Sequence, residues 1–167
     1  MPLGGFIFLG LELILVAYLD FTKKKISNFW PILNLLIFFV IILFFRGTYS
    51  LTFEHFYFPV GILIVGFFLF LVGVMGPGDT KYLFSLFLLL PFQDQKILFF
   101  CLIYVTILVG SILLLLHAIQ NFGKIVLALK SVSWGPLKGV FKTKFTYAPL
   151  ILMAWIWYGW KINIYSF

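Results

Sequence analysis

The chain has 167 residues, 63% hydrophobic and 10% charged, with a mean hydropathy of +1.16. No soluble domain of this length hides that much apolar surface, so the composition implies an all-α, polytopic membrane protein with a single domain over residues 1–167. The net charge of +7 argues little for nucleic acid, because the lysines cluster in loops between apolar runs, as topology signals do.

A helix that crosses a bilayer needs roughly 20 apolar residues. The N-terminus lacks a basic region and a small-residue cleavage site, so Leu3–Leu19 reads as a retained first span. The stretch Asp20-Phe21-Thr22-Lys23-Lys24-Lys25 ends it. Phe29–Phe45 is the second span, closed by Arg46-Gly47, and a polar loop runs through Thr52, Glu54 and His55. Phe56–Met75 is the third. The turn Gly76-Pro77-Gly78-Asp79 follows. Tyr82–Leu90 is too short to cross alone, so the fourth helix is expected to begin near Pro77, with Asp79 in its first turn. Pro91–Lys96 reads as a turn and Ile97–Ile119 as the fifth span. A basic loop at about 120–146 carries Lys124, Lys130, Lys138, Lys142 and Lys144. Part of it, Phe122–Val132, is either an amphipathic helix on anionic headgroups or a plain solvated loop. Tyr147–Trp160 is the sixth span, with Trp155, Trp157 and Trp160 read as lipid-facing anchors near its outer end.

With the N-terminus outside, nine of the twelve basic residues fall on the inner side and only Arg46, Lys96 and Lys161 on the outer. That is the positive-inside bias. Two crossings separate Asp20 from Asp79, so both acids are expected at the cytoplasmic face. The chain has only five acids, and an acid at membrane depth points to function. Two carboxylates at one site are the chemistry of an aspartyl protease: one is ionised and activates water, and the other is protonated and donates to the scissile carbonyl. The macrodipole at a helix N-terminus favours the anion at Asp79, whereas a helix C-terminus disfavours it at Asp20. Asp79 is therefore expected as the base and Asp20 as the acid, although the pair titrates as a unit. Gly76 and Gly78 are expected to supply backbone conformations closed to other residues and close approach for a substrate strand.

Glu12 lies about 12 Å along the first helix from Asp20, too far for direct chemistry, and reads as a contact to another helix. Lys81 either tunes the dyad, meets an acidic group on the substrate, or anchors the helix at the headgroups. Asn28 or Ser27 is expected to cap the second helix. The single cysteine, Cys101, reads as a small core residue. His55 and His117 have no partner at metal-ligand spacing, so neither a metal nor another cofactor is expected.

The segment Gly76-Pro77-Gly78-Asp79-Thr80-Lys81 resembles the Gly-x-Gly-Asp-x-Lys motif of the type IV prepilin peptidases. Asp20 through Asn28 is similar to that family's first motif, an Asp followed by basic residues, then Ile26 and Asn28. Tyr147-Ala148-Pro149 is similar to a Pro-containing segment that opens the family's last span. The resemblance implies a multi-pass aspartyl endopeptidase of the cytoplasmic membrane. Its catalytic pair would be Asp20 and Asp79, with Gly76, Gly78 and Lys81 supporting the motif. Its substrate would be a prepilin-like or preflagellin-like protein, cut after a short basic leader at the cytoplasmic face. The cytoplasmic segment with paired cysteines that methylating members carry is absent here. The chain thus looks like the small peptidase-only type of tight-adherence or archaeal systems. Presenilin-like proteases share Gly-x-Gly-Asp but place Tyr directly before the first Asp, where this chain has Leu19. The competing readings are a non-enzymatic assembly scaffold and a small proton- or ion-coupled transporter using the same acids.

Overall fold

Helix is the only regular structure that a single lipid-exposed segment can form with all its backbone groups paired. A computed structural model describes residues 3–44, 52–71, 75–120, 122 and 147–165, and their regular structure is all helical. The order is α1 Leu3–Lys23, α2 Phe29–Phe44, a 3-10 turn Phe53–Phe56 leading into α3 Tyr57–Leu71, α4 Pro77–Leu88, α5 Phe92–Gln120 and α6 Ala148–Tyr165. Arg46-Gly47 and the basic loop with its five lysines lie outside the described residues.

The prolines set the helix starts. Pro31, Pro59, Pro77 and Pro149 sit in first turns, where a missing N–H costs nothing, and Pro91 immediately precedes α5. The expected fourth helix does begin at Pro77. The expected turn at Pro91–Lys96 is instead mostly the first turn of α5.

Among the described residues three helical stretches are long and apolar enough to cross a membrane: Leu3–Lys23, Phe53–Leu71 and Phe92–Gln120. The other helices fall short of that length or apolarity, so six spans are not shown. Phe29–Phe44 is apolar but shorter. The 12 residues of α4 reach only about 18 Å against a hydrocarbon core of roughly 30 Å. In α6, Lys161 and several aromatic residues dilute the apolar character.

The closest pairings form two groups, α1 on α6 on α5, and α2 on α4 on α3, with a lighter contact between α3 and α5. Helix α4 is the interior element: Tyr82, Leu83, Ser85, Leu86, Phe87 and Leu88 are all buried. It nests on α3 where Gly66 leaves a notch for the Thr80 side chain. Outward positions such as Phe8, Leu11, Leu15, Phe39 and Phe67 are exposed apolar residues, as a lipid-facing surface requires.

The far end of α4 stops abruptly, and two side chains close it. His55 Nε2 donates to Leu88 O at 2.9 Å. Gln95 Nε2 reaches Phe87 O at 2.9 Å, Leu90 O at 3.0 Å and His55 O at 3.1 Å. His55 was expected in a polar loop; it is buried, and its ring stacks on Phe38. Of the three expected tryptophan anchors, Trp160 is exposed, but Trp155 is buried. Its ring stacks on Phe6 at 5.0 Å beside Gly10, where a Cβ on α1 would come within 3.2 Å of the indole.

Candidate active site

Asp20 lies in the last turn of α1 and is 4% exposed. Helix α1 ends just beyond it, with Lys24 in the left-handed region at φ 50° and its N–H on Asp20 O at 2.8 Å. The Asp20 carboxylate faces a second helix end. Ala148 N, the first residue of α6, donates to Asp20 Oδ2 at 3.3 Å. The segment Tyr147-Ala148-Pro149 therefore has a concrete place: it brings a helix N-terminus, with its unpaired N–H groups and positive end, to the first acid.

Asp79 is the third residue of α4 and 7% exposed. Its Oδ2 accepts from the Gly76 N–H at 2.9 Å, so the carboxylate folds back onto its own helix cap. The glycines serve differently from expectation. Gly76 has ordinary extended backbone (φ −79°, ψ 154°), and Gly78 is helical. Neither uses a conformation reserved for glycine; what matters is the absent Cβ. A Cβ on Gly76 would come within 2.9 Å of Asp79 Oδ2, and one on Gly78 within 3.1 Å of Ile26 O.

That second contact joins the two motifs. Ile26, buried between α1 and α2, sits against the turn that carries Asp79. The acids are close enough for the Asp20 charge to act on Asp79. Asp79 acts in turn on Tyr147, whose hydroxyl lies 3.0 Å from that of Thr106. Burial pushes the Asp79 carboxyl up to about 6; the Gly76 N–H lowers it, and the Asp20 charge raises it further. Burial works against the anion that the helix terminus favours at Asp79, yet a carboxyl at about 6 is still mostly ionised at neutral pH. The asymmetry expected from helix ends also weakens, because Asp20 too meets a helix N-terminus.

Lys81 is exposed and lines a groove of about 430 Å³ with Asn28, Pro31, Ile32 and Phe84 on the α2 side. At the start of α2, Ser27 Oγ accepts from Phe29 N at 3.3 Å, the capping role shared in expectation with Asn28. Among the described residues no three His, Cys, Asp or Glu side chains converge as metal ligands would. Sequence reasoning missed two features. One is the Gln95 closure of α4, signalled only by a polar residue beside a proline. The other is which residues face Glu12: its contact to another helix is legible, but polar residues inside apolar runs do not say that Asn34 and Tyr82 are the ones it meets.

No curated protein and no solved structure matches the chain. A family model does match, over residues 7–119, which is more than half of the chain and includes Asp20 and Asp79. With the two motifs packed against each other in a helical membrane protein, this match shows that the chain belongs to the type IV leader peptidase family.

Proposed function

We propose that this protein is a membrane aspartyl endopeptidase that removes the short basic leader of prepilin-like proteins at the cytoplasmic membrane face, with Asp20 and Asp79 as its catalytic pair. The observation that carries the reading is two buried carboxylates from different helices, near enough for the charge of one to act on the other and each held by one backbone N–H at a helix N-terminus. Nearby like charges cannot both ionise in such a place, so the pair shares one proton. The ionised carboxylate takes a proton from water as the water oxygen attacks the scissile carbonyl carbon. The protonated carboxylate gives its proton to the carbonyl oxygen. Collapse of the tetrahedral adduct breaks the C–N bond: the departing amine takes a proton from the carboxylate that had received one from water, and the adduct's hydroxyl returns its proton to the other carboxylate as the carbonyl re-forms, which restores the shared proton.

Lys23, Lys24, Lys25 and Lys81, all exposed, flank the acids and support a cytoplasmic placement under the positive-inside rule. They also make charge attraction of a basic leader an unsuitable recruiting force. The substrate's apolar helix instead brings the cleavage site alongside the bundle from the lipid. The test is co-expression with a prepilin-like substrate, scored by the mass of its new N-terminus at matched membrane levels of enzyme. Asp20→Asn and Asp79→Asn should each abolish cleavage. Retained cleavage in either removes that acid from the mechanism.

A further inference from the structure

Glu12 lies two helical turns from Asp20 on α1, about 12 Å deeper in the membrane. It is 4% exposed, and among the described residues neither carboxyl oxygen has a hydrogen-bond partner. Two side chains from the other helix group face it, Asn34 of α2 and Tyr82 of α4, both fully buried. Asn34 Oδ1 and the Tyr82 hydroxyl are likewise unpartnered. Asn34 Nδ2 gives one of its two N–H groups to Ser85 Oγ at 3.4 Å, and Ser85 Oγ donates to Tyr82 O at 2.9 Å. Orphaned oxygens from three helices thus meet at one buried point.

The Tyr82 hydroxyl and the second Asn34 N–H are available as donors, so the balance of charge bears on the form of Glu12. The groups acting on the carboxyl are Asn34 and Tyr82, neither of them a cation. An ionised carboxylate there would be a buried charge without a counter-charge, which is costly. It would also leave Asn34 Oδ1 without a donor. A neutral carboxylic acid carries no such charge and supplies the missing donor: its O–H serves Asn34 Oδ1, and its C=O accepts from the Tyr82 hydroxyl. The cluster also sits where it matters. Helix α1 packs mainly on α6, and α4 on α2 and α3, so Asp20 and Asp79 come from different groups. Glu12, Asn34 and Tyr82 bridge the same seam.

We propose that Glu12, as a neutral carboxylic acid, is a positioning residue that ties α1 to α2 and α4 through Asn34 and Tyr82 and so fixes the gap between Asp20 and Asp79. The consequence for cleavage rests on the function proposed above; the tie between helices does not.

The test uses Glu12→Gln, which keeps a neutral hydrogen-bonding group, and Glu12→Leu, which removes it. Tyr82→Phe deletes a single oxygen, should Glu12→Leu fail to fold. The separation of α1 and α4 is read by spin labels at Lys23→Cys and Lys81→Cys in a Cys101→Ser background. Cleavage is measured in unlabelled enzyme, and infrared difference spectra of wild type and Glu12→Gln report the carboxylic acid C=O stretch. The expected result is a narrow wild-type distance kept by Glu12→Gln and broadened by Glu12→Leu and Tyr82→Phe. Cleavage should stay within about threefold in Glu12→Gln and fall by roughly 10- to 100-fold in Glu12→Leu, the scale of an ångström-level misplacement of reacting groups. The neutral-acid band should be present at neutral pH and vanish in Glu12→Gln. An unchanged distance in both Glu12→Leu and Tyr82→Phe overturns the tie. Absence of the band, or a Glu12→Gln enzyme as defective as Glu12→Leu, overturns the neutral form. If wild type cleaves no prepilin-like substrate, the proposed activity fails, while the distances and the band still decide the role of Glu12.

Discussion

At the residue scale the site combines scarce acids with backbone donors, and the two were unequally legible. Asp20 and Asp79 stood out because ionisable residues are rare in this chain. Ile26 and Ala148 entered only through resemblance, because each acts through its main chain, as the carbonyl that Gly78 must clear and the N–H that Asp20 accepts. A pH dependence follows from the burial of Asp79. Its carboxyl binds a proton more tightly folded (about 6) than at its ordinary value of 3.8, so folding is favoured at low pH. That advantage is lost as pH rises through about 6, and it amounts to at most about 3 kcal/mol. Asp79→Asn should therefore be inactive yet more stable than wild type at neutral pH, with the difference shrinking toward pH ~4; thermal unfolding in detergent across that range checks it. Gly78→Ala places a methyl 3.1 Å from Ile26 O and should lower cleavage about tenfold or more by parting the motifs. Gly61→Ala, with nothing within 4 Å of its Cβ, is the matched control and should cleave like wild type.

At the element scale α4 is the exception among the helices. Apolar counting found its start at Pro77 but made it a span, because Leu88-Leu89-Leu90 continues the greasy run without a break. The chain instead tightens there: Leu89 N bonds Leu86 O at 3.1 Å and Leu90 N bonds Phe87 O at 3.2 Å, just before Pro91. A helix that ends inside the protein must have its last carbonyls met by side chains. Gln95 and His55 meet them from α5 and the 3-10 turn, long-range partners that no local pattern encodes. Gln95→Leu should cost about 1–3 kcal/mol, seen as a lower melting temperature in detergent. Since Gln95 lies at the end of α4 remote from Asp79, the folded fraction should cleave at the wild-type rate, which a substrate titration at low temperature would measure.

At the scale of the whole molecule, composition alone gave the all-helical membrane class, because no other arrangement disposes of so much apolar surface. The grouping of α1, α5 and α6 apart from α2, α3 and α4 was not legible, since hydropathy says which segments are greasy but not which neighbours they choose. Orientation can be tested directly. Cysteines at Thr22 and Lys81 in a Cys101→Ser background, both exposed positions beside the acids, should react with a membrane-impermeant maleimide from the cytoplasmic side alone. A cysteine at Glu54 should react only from the opposite side. Labelling of all three from one side would contradict the proposed cytoplasmic site.

The hydrogen bond from Ala148 to Asp20 spans 128 positions of sequence. A ribosome that has reached Gln120 has already made both acids, but not the amide that holds the first of them. If the proposed dyad needs that amide, hydrolytic competence arrives late in synthesis, with α6. Truncation before Ala148 should accordingly yield an inert protein rather than an unregulated protease.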